Sequence, residues 1–159
     1  MRLASKLLLA AAVVFTSTGC GTNFAITTPA GFAELEDQDD YGYRATSPEG
    51  VVLAVRREDN APYGDLSFWS GALDAHLRRA GYAAVAVDGV WNVEVESADG
   101  VIGSQSRYTR VHEGREHAFC VTVFVTDDQV ITVETGGDSE FFGDRRESLD
   151  KAISSLVIG

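Results

Sequence analysis

The stretch His117–Thr126, HAFCVTVFVT, constrains this chain more than any other. Phe119, Val121, Val123 and Val125 alternate onto one face, and Ala118, Cys120, Thr122 and Phe124 onto the other. No residue from Ala118 to Val125 is charged. A strand with one wet face alternates polar with apolar side chains, whereas a strand covered on both faces reads as a near-continuous apolar run. The stretch therefore predicts a central strand with structure packed on each side.

The flanking sequence supplies the rest of a sheet and two helices. Tyr41–Ser47 and Val51–Asp59 are strand-like runs around a Pro48-Glu49-Gly50 turn. Asp65 is placed to cap a helix running to Ala80, with Gly81 as its stop. Leu66, Trp69, Leu73 and Leu77 form its apolar stripe, on which Trp69 reads as a core anchor. Tyr82–Val87 and Trp91–Glu96 follow as strands about Asp88-Gly89, and Ile102–Val111 is a polar strand expected near an edge. Glu113-Gly114 turns the chain into the central strand, and Asp127-Asp128 turns it into Gln129–Thr135. Gly136-Gly137 is expected to end the sheet. Asp138 or Ser139 then caps a last helix with Phe141, Phe142, Arg145, Leu149, Ile153 and Leu156 inward. The expected fold class is α+β: a mainly antiparallel sheet with helices on both faces, an α/β/α sandwich of order ββαββββα.

At 159 residues with 45% hydrophobic composition, one domain with one core is the expectation. Its amino end reads as an address. Arg2 and Lys6 precede an apolar run, Leu7–Phe15, too short to span a bilayer. Ser17-Thr18-Gly19-Cys20 follows at once and resembles the lipobox of bacterial lipoproteins, departing from it at Ser17, where an aliphatic residue is usual. The resemblance implies a signal peptide over residues 1–19 and lipidation of Cys20. Residues 20–28 then form a short tether and 29–159 the domain. Gly21 in place of Asp implies, by the sorting rule of enteric bacteria, the outer membrane with the domain facing the periplasm.

The Pro29–Phe32 opening, the Tyr43–Val55 hairpin, the Leu66–Leu77 helix, and Phe142 with the Leu149–Leu156 helix together resemble the PsbP-like sandwich, which includes the DcrB-like bacterial lipoproteins. The resemblance is one of pattern over nearly the whole mature chain. It implies a noncatalytic, partner-binding domain, and it carries no site residue across.

The residues themselves offer little chemistry. His112–His117, HEGREH, spaces its histidines five apart across a turn, not four apart on a helix as a zinc motif needs, so no metal is expected. Cys120 lies mid-strand, a poor place for a nucleophile that must be part-exposed beside a base. The acidic run Glu34–Asp40 lacks the ligand spacing of a calcium loop and reads as solvated. No G-x-S-x-G elbow or phosphate loop is present, and no cofactor is expected. The net charge of −11 argues against nucleic acid as a partner.

The expected function is a membrane-tethered binding or scaffold lipoprotein of the bacterial envelope, attached to the bilayer through its lipid and docking an envelope protein. The alternatives are a carrier of a small apolar ligand and an acid-dependent hydrolase. Tyr63, Trp91 and Phe141 are the candidate partner-binding aromatics.

Overall fold

A computed structural model describes residues 24–38 and 40–159. The expected signal peptide and Cys20 lie outside the described residues. The central strand is β8, Arg115–Val125; β7, Ile102–His112, and β9, Gln129–Asp138, pair with it on either side, both antiparallel. Beyond β9 come β4, Val52–Asp59, then β3, Tyr43–Thr46, then β2, Ala33–Glu34. The outer side of β7 is shared by β5, Ala83–Ala84, and β6, Asn92–Glu96. Among the described residues these eight strands form one antiparallel sheet.

The two faces of β8 are covered as its sequence demands. Helix α2, Ser139–Ser154, packs on the Cys120 and Phe124 face, where Phe142, Leu149, Ala152 and Ile153 join Leu53, Val55, Ile131 and Val133 in the main core. Helix α1, Leu66–Arg79, packs on the Phe119 and Val121 face, where Leu77, Tyr108 and Val121 form a smaller cluster with Leu73, Tyr82 and Phe119 at its rim. Both caps fall where the sequence put them. The Asp65 side chain accepts from the Phe68 N–H, and the Asp138 side chain accepts from the Glu140 N–H. The Tyr108 hydroxyl donates to Asp74 Oδ1 at 2.9 Å, tying α1 to β7. Burial, reinforced by that carboxylate, pushes the phenol up to about 12.

Several expectations are corrected. The strands Tyr82–Val87 and Trp91–Glu96 shrink to β5 and β6, with a Val87–Val90 bridge about the Asp88-Gly89 turn. The polar β7 does lie next to the edge, with β5 and β6 outside it; Gln105 donates to Thr122 on β8 and the Ser106 hydroxyl to Asn92 on β6. Gly136-Gly137 does not end the sheet, and β9 runs through both to Asp138. A Cβ at Gly137 would stand 3.0 Å from Val51 Cγ2, and one at Gly136 would stand 3.2 Å from both the Ala118 carbonyl oxygen and the Phe119 ring. These glycines let neighbouring groups approach the backbone closely, so they mark packing and not a break.

The folded body also begins earlier than Pro29. Phe24–Ala25, β1, pairs antiparallel with Val157–Ile158, β10, and Phe24 and Ile26 pack on the main core. The Thr27 N–H donates to Ser155 Oγ at 3.0 Å and the Tyr43 hydroxyl to Thr28 Oγ1 at 2.7 Å. Gln129 Nε2 donates to the Gly159 carbonyl at 2.7 Å, which sets the carboxyl end beside the start of β9. The β1–β10 pair therefore sits at the opposite end of the sheet from Gly136 and Asp138.

Candidate ligand-binding basin

Helix α1 covers β7 and β8 but leaves the β3–β4–β9 part of its face open. The register shows which side chains this exposes. Val52, Gly136, Phe119 and Tyr108 are successive partners across four strands and share the α1 face, as do Asp138, His117 and Arg110 one step further along. Of these, Val52, Gly136, Phe119, His117 and Arg110 border a basin of about 480 Å³. Its floor is Val52, Ala54 and the side-chain-free Gly136; Tyr41 and Arg44 form one wall, and Tyr82, Phe119, Arg110, His112 and His117 the other.

The basin is a mixed surface. The Tyr82 and Phe119 rings pack 5.2 Å apart at 45° as an apolar wall. The Arg110 guanidinium lies over the Tyr82 ring, 5.3 Å from its centroid. His112 and His117 meet edge to face at 6.2 Å. Glu134 is the carboxylate in the lining, and its Oε2 accepts from the Tyr41 hydroxyl at 3.1 Å. Tyr41 in turn lies beneath the Arg56 guanidinium, 4.5 Å from its ring centroid. Nearby, Asp138 is engaged by Arg115 at 3.2 Å.

The residues singled out from sequence are scattered. Tyr63 stands 72% exposed in the loop before α1, and Trp91 stands 57% exposed at the start of β6, beside a separate groove against α1. Phe141 is half-buried against the main core on the opposite face, because the first turns of α2 bring it down beside Phe142. It is therefore not a free aromatic. The two histidines do face each other across the hairpin, as their spacing allowed. Among the described residues no cluster of three or more His, Cys, Asp or Glu is placed to hold a metal. The basin itself escaped the sequence reading. Glu113-Gly114, both at positive φ, fix a tight turn, and counting back from it by twos puts Arg110 and Tyr108 on the face of His117 and Phe119.

Cys120 points away from the basin into the main core and is 5% exposed. Burial pushes its thiol up to about 11, so at neutral pH it carries almost no thiolate, the species that reacts. We expect iodoacetamide at pH 8 to label Cys120 at least a hundredfold more slowly in the native chain than in the urea-unfolded chain, read by mass spectrometry. Equal rates would mean the core face is open.

A mainly antiparallel sheet with one helix on each face defines an α+β sandwich of the PsbP-like kind. The crystal structure of LpqN, involved in cell envelope biogenesis of Mycobacterium tuberculosis, overlays with a TM-score of 0.63 at 10% identity, covering 84% of this chain and 82% of that one. The solution structure of the cyanobacterial PsbP protein CyanoP from Synechocystis sp. PCC 6803 overlays with a TM-score of 0.57 at 10% identity, covering 92% of this chain and 98% of that one. At such identities the likeness is one of fold. No protein-family model matches the chain, and no curated protein matches it in sequence.

Proposed function

We propose that the chain is a noncatalytic binding lipoprotein of the bacterial cell envelope, acylated at Cys20 and holding its basin away from the bilayer. The observation that carries this is the position of β1. Phe24 is already part of the folded body, and only Gly21, Thr22 and Asn23 separate it from Cys20. Such a link spans at most about 14 Å. An acyl group on Cys20 therefore draws the β1–β10 end onto the membrane surface. The basin opens at the other end of β9, from Gln129 to Gly136 a rise of about 23 Å. It is presented to the periplasmic space and not to the lipid. Gly21 after the cysteine favours the outer membrane as the address. The fold shared with LpqN, whose description ties that protein to envelope biogenesis, is consistent with such a role.

The test is fractionation. Cys20→Ala moves the protein from the membrane to the soluble fraction, and a Cys20→Ala chain that still sediments with membranes rejects the lipoprotein reading. A carrier role for a small molecule is favoured over docking of a large partner by the basin itself, whose volume falls within the roughly 300–1,000 Å³ typical of small-molecule sites.

A further inference from the structure

We propose that the basin binds a small anionic amphiphile: a carboxylate carried on a flat apolar body. The proposal rests on the binding reading above and adds the chemical class of the ligand.

The charge distribution runs against the composition of the chain. The protein has 24 acidic and 13 basic side chains, yet the basin lining holds two arginines, Arg44 and Arg110, and the imidazoles of His112 and His117, against the carboxylate of Glu134; Arg44 Nη1 also donates to the Asp37 carbonyl at 3.5 Å, and His112 lies 3.9 Å from Glu113. The Tyr41 hydroxyl occupies that carboxylate from within the wall. Among the described residues no carboxylate pairs with Arg110, which lies over the face of Tyr82. The net charge of −11 does not decide the matter at the site, because charges beyond a Debye length of about 8 Å are largely screened at physiological ionic strength. The Arg110 guanidinium, within the lining itself, acts at closer range.

Geometry supplies the other half. Placed over the Tyr82 ring, the Arg110 guanidinium has N–H groups available to grip a carboxylate in two-point fashion. Its stacking on the ring also reduces the rotamer freedom lost on binding. Beside it, the tilted Tyr82–Phe119 pair offers apolar ring surface, and Gly136 lets the Phe119 ring lie close against the backbone of β9. A flat apolar body therefore fits along the wall while its anionic group reaches Arg110 and the two imidazoles. Glu134 Oε2 is already engaged by the Tyr41 hydroxyl in the opposite wall.

The experiment uses the exported Cys20→Ala chain, titrated with 2-naphthoate and with neutral 2-naphthamide and followed by amide shifts at Gly136, Gly137 and His117. Naphthoate should bind the more tightly. Arg110→Gln should weaken naphthoate about tenfold, the size of one charge-assisted contact, and leave naphthamide unchanged. Arg79→Gln, an exposed cation on α1, should change neither. If Arg110→Gln leaves naphthoate unchanged, or Arg79→Gln weakens it as much, the anion assignment falls while a carrier of neutral ligands stands. If neither compound moves the basin amides, the small-molecule reading falls with it, and the fractionation result is untouched.

Discussion

Replacing Phe124 with Ala should lower the unfolding free energy by about 3–5 kcal/mol, the usual cost of removing a fully buried phenylalanine. Against the roughly 5–15 kcal/mol total of a typical domain, that is a large share. Phe124 is fully buried on the main-core face of β8, in the cluster that α2 closes. Its cross-strand partner is Gly103, where a Cβ would come within 2.6 Å of the Phe124 ring. The sheet has thus been shaped around this one ring, with a glycine opposite it. Truncation leaves a hole that neighbouring strands, held by ladders on both sides, fill only in part. The check is urea unfolding of both chains: the midpoint should fall sharply with an unchanged slope. Phe124→Leu should recover part of the loss. A change below about 1 kcal/mol for the alanine variant would mean that Phe124 is not enclosed as described.

The architecture was readable from sequence where local periodicity carries it. Cys120, Thr122 and Phe124 against Phe119, Val121 and Val123 already stated that two faces of one strand are covered, and the two helices lie one on each face. Asp65 and Asp138 marked the starts of the helices because a cap is a local hydrogen bond. What escaped depends on register, which no local pattern fixes. Gly136-Gly137 looked like a terminator since glycine weakens a strand in isolation; its use as a close-packing position appears only when Val51 and Phe119 are known to lie beside it. The two-residue strands β1 and β10 have no period to detect, yet their pairing sets where the folded body begins. The basin draws Arg44 from β3, Glu134 from β9 and Arg110 from β7, brought together by strand order alone. The exposed aromatics chosen in its place were selected on residue type. Of them, Phe141 is half-buried against the main core, as its place on the inward stripe of the last helix foretold.

Asn60 was passed over in sequence as part of a breaker, Asn60-Ala61-Pro62-Tyr63-Gly64, and its replacement is the second change with a large expected cost. It is buried at the end of β4 and uses both ends of its amide. Its Nδ2 donates to the Gly64 carbonyl at 3.1 Å and to the Thr126 carbonyl at 2.9 Å. Its Oδ1 accepts from the Gly64 N–H at 2.9 Å and from Trp69 Nε1 at 2.8 Å. One side chain therefore joins the exit of β4, the loop into α1, the first turns of α1 and the β8–β9 turn. Asn60→Ala strands the buried Gly64 N–H, while water can reach part of the half-buried Trp69. The expected loss is about 2–3 kcal/mol, toward the upper end for an unsatisfied buried polar group. Asn60→Asp keeps the acceptor and loses both donated bonds, so it should destabilise through the two carbonyls and leave the Trp69 bond standing. In a Trp91→Phe background, the emission of Trp69 separates the two outcomes: it shifts to the red in Asn60→Ala and stays near the parent in Asn60→Asp. Parent-like stability in Asn60→Ala would mean that the Leu73 and Leu77 contacts and the Tyr108–Asp74 hydrogen bond suffice to hold α1 to the sheet and that this polar junction adds nothing.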